Sequence, residues 1–261
     1  MPRKQKAQSY IRSSYHLKTL IDQIKLQDHY IVMSYDMNDM YLSVPIDETM
    51  TVVQKELRYD KTLKERTKWK PKDIVKLLRI CIETHFYDYE GNIWTQKEGS
   101  PIGKSISGVI CCIYVANFEK EEIFGNISLI YKPLFWYRSE DDVLCILEHG
   151  INEADIFLDF LNSKHVKVKW TREIENDKVL PYLDLHLEKV GHKIESGVYR
   201  KPTHTLRYSN YRSNRPKDCQ LNIIKGLLFR AYNICDAGSK NREAELSLIS
   251  DAFIACDYPV Q

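Results

Sequence analysis

The chain has 261 residues, of which 43% are hydrophobic, so it is long enough and apolar enough to bury a core. Its net charge of +2 excludes a uniformly basic or acidic protein, which leaves the distribution of charge as the informative property. The longest apolar stretch, 106–118, is shorter than the ~20 residues of a membrane helix, and the start has no apolar signal core. The seven cysteines show no metal-ligand spacing, and an odd number without a secretory leader indicates reduced thiols. We therefore expect an intracellular protein that does not span a membrane.

The first half of the chain alternates strand-like and helix-like segments. The run 30–35 is strand-like and ends at Asp36. Two amphipathic helices are expected to begin at the caps Asp47 and Asp73, and a basic connection joins them. Further predicted elements are a β-hairpin over 86–96, turning at 90–92, and a helix over 105–124 buried under the sheet.

The second half begins with two strand-like runs, 128–137 and 143–147, which bracket the polar tetrad 139–142 and predict a β-hairpin. Helical periodicity covers three segments and strand-like alternation three more. The helices are 153–165, 217–235 and 239–258, and the strands are 166–170, 183–187 and 194–199. Because strands and helices segregate along the chain, the predicted fold class is α+β, an antiparallel sheet with packed helices.

Three aspartates stand where strands are expected to end. Asp141 and Asp142 lie in the predicted hairpin turn, and Asp36 follows a strand about a hundred residues earlier. Carboxylates at such positions are either ordinary solvated turn residues or ligands of a hard cation such as Mg²⁺. The combination matches nucleotidyl-transferring palms, in which three aspartates hold two metal ions roughly 3.5–4 Å apart. Phosphoryl transfer depends mainly on positioning and charge stabilisation, so such residues would carry the chemistry.

The segment 196–217 contains no acidic residue. Its basic residues are Arg200, Lys201, Arg207, Arg212, Arg215 and Lys217, and Tyr199, Tyr208 and Tyr211 are interleaved with them. Basic and aromatic residues together suit a nucleic-acid backbone with stacked bases, although a solvated loop has the same composition. The first 20 residues also lack acids, which indicates either a basic arm or a start exposed by truncation.

Several segments in order resemble the reverse transcriptases of Penelope-like retroelements, from about Gln8 to Pro259. Residues 35–46 resemble the first catalytic motif of reverse transcriptases, and 96–107 their glycine-containing template-and-nucleotide motif. Residues 136–142 resemble the segment of Penelope-like elements that ends in the paired aspartates. The matches downstream are 169–173, 180–184, 199–205 and 230–235.

The resemblance implies a polymerase palm followed by a helical thumb. Its domains would be a basic N-terminal segment (1–28), the palm (29–198) and the thumb (199–261). It implies RNA-directed DNA synthesis from an RNA template and a DNA primer, with deoxynucleoside triphosphates, in the nucleus. Asp36 and Asp141 would be the main ligands of Mg²⁺ or Mn²⁺, with Asp142 the weaker third. Tyr41 would exclude a 2′-hydroxyl, and Gly103 would let the backbone approach the nucleotide or template closely.

The same resemblance implies that the thumb segment binds nucleic acid. The candidate residues there are Arg200, Lys201, Arg207, Tyr208, Arg212 and Arg215.

Two departures from the family pattern bear on activity. The family's tyrosine before the paired aspartates is Ser139 here, and its small apolar residue is Glu140. Only 35 residues precede Asp36, so we expect the family's fingers region to be missing. The alternative to an active polymerase is therefore a catalytically impaired relic that binds primer–template nucleic acid without polymerising. An ordinary α+β domain without a nucleic-acid role is a third reading.

Overall fold

The computed structural model of the chain describes residues 9–84, 86–125, 132–148 and 150–259. The helices are α1 (Ser14–Ile21), α2 (Met40–Ser43), α3 (Ile46–Tyr59), α4 (Leu63–Arg66), α5 (Pro71–Glu83), α6 (Ser107–Phe118), α7 (Ile151–Ser163), α8 (Lys217–Ile234) and α9 (Lys240–Ile254), with a π-helix (Glu119–Ile123) continuing α6. The strands are β1 (Ile31–Met37), β2 (Phe86–Tyr89), β3 (Asn92–Thr95), β4 (Phe135–Ser139), β5 (Asp142–Leu147), β6 (Trp170–Ile174), β7 (Val179–Tyr182), β8 (Leu185–Val190) and β9 (Lys193–Val198).

The strands form three sheets, with strand orders β4-β5-β1-β6, β2-β3 and β7-β8-β9. The pairs β2–β3, β4–β5, β7–β8 and β8–β9 are antiparallel. The α+β prediction is therefore confirmed. No helix within the described ranges is both long and apolar enough to cross a membrane.

The chain divides into two compact units. The first contains Ser34–Arg172 and the segment that ends at Tyr10, and the second contains Ile11–Met33 and the chain from Glu173 onward. In the first unit, aromatic rings pack beneath the strands. Tyr35 lies 5.9 Å from Trp136 and 5.6 Å from Phe157, measured between ring centroids, and all three are buried.

A buried ion pair joins β4 to the end of α6. The Arg138 Nε donates to Glu119 Oε1 at 2.8 Å, and each residue is 1% exposed. Glu119 also accepts hydrogen bonds from Trp136 Nε1 at 3.0 Å and Ser9 Oγ at 2.7 Å. Burial by itself lowers the pKa of Arg138, but the charge of Glu119 more than offsets this and raises it. Each buried charge is thus matched by an opposite charge and by hydrogen bonds.

The second unit packs α8 and α9 against β9. Its apolar cluster centres on Ala231, Ile249 and Phe253. An ion pair from Lys18 to Asp236, at 2.7 Å, ties α1 to the segment after α8. Asp236 also accepts the backbone N–H of Ser196 in β9 at 2.7 Å, so one carboxylate connects three elements.

Several predicted elements are confirmed, and their bounds shift by a few residues. The hairpins at 86–96 and 139–142 form, and so do the helices near 153–165, 217–235 and 239–258. The helix predicted over 105–124 begins at Ser107 and changes to π-helical geometry at Glu119. Residues 128–131 of the run upstream of the tetrad lie outside the described residues.

Two predicted helix caps are wrong. Asp47 lies in the first turn of α3, where Pro45 is the N-cap, and Asp73 lies in the first turn of α5, which begins at Pro71. Proline is favoured at the first helical position because its missing N–H would have no helical partner there. The two carboxylates instead lie beside the positive ends of the helix dipoles.

The strand predicted at 166–170 is also wrong, because β6 starts at Trp170 and Val166 is 80% exposed. The Asn162 side chain binds both the N–H and the C=O of Trp170, at 2.8 and 3.1 Å, and so fixes the loop up to the strand. Neither α1 nor β7 was predicted from the sequence.

Glu119→Gln should lower the free energy of unfolding by about 3 kcal/mol, because it leaves the Arg138 charge buried without a counter-charge. The exposed neighbour Glu121 provides a matched control, and Glu121→Gln should change it by less than about 0.5 kcal/mol. Urea unfolding followed by circular dichroism measures both. Equal effects of the two substitutions would show that the pair contributes nothing specific.

Candidate functional site

The three predicted aspartates lie on neighbouring parts of the backbone, where β1 lies beside the β4–β5 hairpin. Asp36 is the last residue but one of β1, Asp141 lies in the hairpin turn, and Asp142 begins β5 opposite Ser139. The Met37 N–H donates to the carbonyl oxygen of Asp141 at 3.4 Å, so the end of β1 directly contacts the turn. The sheet therefore brings together residues about a hundred positions apart in the sequence.

The carboxylates repel one another across this corner of the sheet. The pKa of Asp142 is raised to about 6, first by burial and then by the charges of Asp141 and Asp36. The pKa of Asp36 is raised by burial, by Asp141 and by Asp39, which lies at the N-cap position of α2. Such mutual repulsion accumulates where negative charge is gathered for a ligand.

The donor set consists entirely of carboxylate oxygens, which suits a hard divalent cation such as Mg²⁺ or Mn²⁺. A bound cation would also relieve the repulsion that raises the pKa of Asp142. No three His, Cys, Asp or Glu side chains within the described ranges converge closely enough to hold a metal ion. The residues therefore fit the cation in chemistry and charge, while their side chains are not gathered around one point.

Arg138 connects the turn to the core below it. Its Nη1 donates to the carbonyl oxygen of Glu140 at 2.5 Å, and its backbone N–H donates to the carbonyl oxygen of Ser9 at 2.6 Å. Glu140 adopts a left-handed conformation with φ of 56°, which is unfavourable for a residue with a Cβ. The arginine thus holds the strained residue that directly precedes Asp141.

Tyr41, the predicted gate against a 2′-hydroxyl, lies half-buried in α2 near this turn. Burial raises the pKa of its hydroxyl, and the next largest cause is the charge of Glu140, followed by Cys111, Cys112 and Asp141. The backbone of Tyr41 is fixed by a hydrogen bond, because the Ser100 N–H donates to the Tyr41 carbonyl oxygen at 2.6 Å.

Gly99 has a structural role that the sequence reasoning missed. Its φ is +70°, and an added Cβ would lie 2.5 Å from the Leu42 carbonyl oxygen and 2.6 Å from that of Tyr41. Gly103, the predicted site of close approach, has a φ of +89°, and among the described residues none except its chain neighbours has an atom within 4 Å of an added Cβ. Gly99 stands before Ser-Pro, and that turn-forming combination was the available signal.

The predicted nucleic-acid-binding residues differ in their surroundings. Arg200 forms a two-point ion pair with Glu245 of α9, and the ring of Tyr208 stacks on Phe253 with centroids 4.9 Å apart. Four other members of the set are exposed to solvent. These are Lys201, Arg207, Arg212 and Arg215.

The fold is shared with telomerase reverse transcriptases of two yeasts. A Candida albicans telomerase in complex with a TWJ fragment of telomeric RNA superposes with a TM-score of 0.65 at 13% identity, over 95% of this chain and 45% of that one. Apo telomerase from Candida tropicalis gives 0.58 at 15% identity, over 95% and 46%. A form of that enzyme truncated of its C-terminal domain gives 0.54 at 16% identity, over 72% and 40%. The chain therefore spans less than half the length of these structures.

At the level of sequence, residues 207–261 match the model of an animal helix-turn-helix domain. The matched part is about a fifth of the chain and contains α8, α9 and the short connection between them. No curated protein matches the chain.

Gly99→Ala should destabilise the protein more than Gly103→Ala. Both substitutions place a Cβ on a left-handed residue, at roughly 1–2 kcal/mol each. Only Gly99→Ala also forces the Cβ against the backbone of Leu42, which should add about 1–3 kcal/mol. Urea unfolding of the two variants side by side measures the difference, and equal stabilities would contradict the close approach.

Asp142→Asn should make the protein less sensitive to pH. Because the pKa of Asp142 rises from 3.8 to about 6 on folding, its stabilising contribution is full below 3.8 and is lost as pH rises through 6. Above pH 6, Asp142→Asn should raise the free energy of unfolding by about 1 kcal/mol. This figure is smaller than the pKa shift alone would give, because Asp142 is partly exposed to solvent, which weakens the effect. The measurement is urea unfolding on both sides of that range. Asp159→Asn, at an exposed position of α7, is the control and should leave the pH dependence unchanged.

Proposed function

We propose that this chain is the palm and adjoining helical part of an RNA-directed DNA polymerase related to Penelope-like retroelements. The observation that carries the proposal is the meeting of Asp36 with the Asp141–Asp142 turn on neighbouring strands. The fold shared with telomerase reverse transcriptases and the ordered sequence motifs both support it.

The proposed chemistry is two-metal nucleotidyl transfer. When bound, Mg²⁺ or Mn²⁺ would stabilise the attacking and leaving oxygens of an in-line displacement. Asp36 and Asp141 are the main proposed ligands, and Asp142 is the third. The raised pKa of Asp142 means that part of its population is protonated near neutral pH until a cation is present.

The remaining site residues act on substrate selection. Tyr41 lies close enough to Asp141 to feel its charge, and its carbonyl oxygen accepts the backbone N–H of Ser100. Gly99 allows these two stretches of backbone to approach each other. We propose that its ring excludes the 2′-hydroxyl, so that deoxynucleoside triphosphates are the substrates. Gly103, with open space around it, leaves room for the nucleotide or template.

The proposed partners are an RNA template and a DNA primer, and the proposed location is the nucleus. Two of the similar telomerase structures are complexes with a fragment of telomeric RNA. On this chain the exposed cations Lys201, Arg207, Arg212 and Arg215 would contact the duplex backbone. Arg200 and Tyr208 would support that segment through Glu245 and Phe253.

The second candidate is a relic that binds the primer–template duplex without polymerising it. It is favoured by Ser139, which lacks the aromatic ring of the family's tyrosine at this position, and by the strained Glu140. Primer positioning would be looser without that ring, and small misplacements of reacting groups are costly in rate.

Primer extension separates the two candidates. The chain, alone and together with the fingers segment of a Penelope-like reverse transcriptase, is given an RNA template, a labelled DNA primer, deoxynucleotides and Mg²⁺. A polymerase should extend the primer. Asp36→Asn or Asp141→Asn should abolish extension, because each removes charge from the metal site. Asp159→Asn is the matched control and should retain it.

A relic should give a different result in primer extension and in binding. It should give no extension with any variant, but should bind the RNA–DNA duplex with an affinity that falls steeply with salt. The double substitution Arg207→Gln with Arg212→Gln should reduce the slope of log affinity against log salt concentration by about 0.9 for each phosphate contact that is lost. Full extension by the Asp141→Asn variant would mean that the active site lies elsewhere.

A further inference from the structure

A second surface of the first unit combines positive charge with exposed aromatic rings, away from the three aspartates in sequence. From Arg58 to Lys76 the chain has eight basic and three acidic residues, a net charge of +5, whereas the whole chain carries +2. This stretch, the 58–76 basic surface, contains the end of α3, all of α4 and the start of α5.

The packing of these elements places the cations outside. Leu63 of α4 is buried in a cluster with Val53 and Leu57 of α3, and Val75 and Leu78 of α5 pack against it. The apolar side chains therefore hold the loop against the helix pair. All eight basic residues are then left exposed, namely Arg58, Lys61, Lys64, Arg66, Lys68, Lys70, Lys72 and Lys76.

Among the described residues, one of these eight charges has an ion-pair partner. Arg66 forms an ion pair with Asp60, whose carboxylate also accepts a hydrogen bond from the Thr62 hydroxyl at 2.8 Å. In the part of the chain that the structure describes, the other seven cations have no carboxylate within 4.0 Å. Their charge is available to an external polyanion.

Two aromatic rings stand among these cations. Tyr59 is 76% exposed at the end of α3, and Trp69 is 59% exposed between Lys68 and Lys70. Neither ring stacks on another ring among the described residues. Single exposed rings are common on protein surfaces, but two rings surrounded by unpaired cations form the combination that binds unstacked bases and phosphates.

We propose that the 58–76 basic surface binds single-stranded nucleic acid, with the lysines on phosphates and Trp69 and Tyr59 on base faces. A duplex fits less well, because its base faces are already stacked. An anionic membrane fits less well too, since interfacial binding uses one amphipathic helix, whereas these residues are spread over three elements and the loops between them. The proposal does not depend on catalysis at Asp36 and Asp141.

The test is fluorescence anisotropy of the full chain with labelled oligouridine and oligothymidine strands of about 12 nucleotides, across a salt series. An RNA–DNA duplex of the same length is the comparison. Each measurement is repeated in the Arg207→Gln, Arg212→Gln background, so that the 196–217 segment does not mask the result. Both single strands should bind, because they share phosphates and exposed base faces.

Two sets of variants separate charge from stacking. Lys68→Gln with Lys70→Gln should reduce the salt slope by about 1.4, and Lys120→Gln with Lys132→Gln, at exposed positions outside the surface, should not. Trp69→Ala should weaken single-strand binding about tenfold at an unchanged slope and leave duplex binding as it was. The emission of Trp69 should also be quenched on binding.

The proposal fails if the Lys68, Lys70 and Trp69 variants bind single strands as tightly as the Lys120, Lys132 control. It also fails if the chain binds anionic phospholipid vesicles through these residues and not oligonucleotides. Because no readout involves primer extension, these outcomes are independent of whether the chain polymerises.

Discussion

The hairpin turn that carries Asp141 depends on the buried ion pair between Glu119 and Arg138. Burying two charges costs several kcal/mol each, and the cost is offset only when geometry and hydrogen bonding are good. Here Glu119 accepts from Arg138, Trp136 and Ser9, so its oxygens are well supplied with donors. The arginine in turn reaches the Glu140 carbonyl oxygen. The position of the turn is therefore set by the end of α6, through one arginine.

The pair lies at the point where the helix geometry changes. Glu119 is the first residue of the π-helix that continues α6, and it is buried. Short π-helical segments often occur at functional sites, because the extra residue per turn redirects side chains. The rings of Tyr35, Trp136 and Phe157 pack below the same corner of the sheet. A site whose side chains must be positioned precisely requires rigid support of this kind.

Local sequence patterns could predict the parts of this site that are local in the chain. The hairpin followed from apolar runs on both sides of a polar tetrad, and Asp36 followed from a strand-like run. Their adjacency came from the family resemblance, because alternation along a strand does not determine its neighbour in the sheet. The Glu119–Arg138 pair was not predictable in this way. It joins residues 19 positions apart on different elements, and a glutamate after an apolar helix is usually exposed. For Gly99, the Gly-Ser-Pro combination indicated a turn, but the close approach to Tyr41 and Leu42 was not predictable because those residues are distant in the sequence.

Glu140 departs from the family pattern, and the sequence alone left open what its carboxylate and its backbone do. A third carboxylate in the tetrad could have added to the repulsion at the metal site or could have pointed elsewhere. The charges that raise the pKa of Asp142 are those of Asp141 and Asp36, whereas Glu140 acts on the hydroxyl of Tyr41. Its side chain is exposed, and its carbonyl oxygen is the acceptor that Arg138 needs. The backbone of Glu140 thus completes the support of the turn, and its charge raises the pKa of the hydroxyl of Tyr41, the residue proposed to select the sugar.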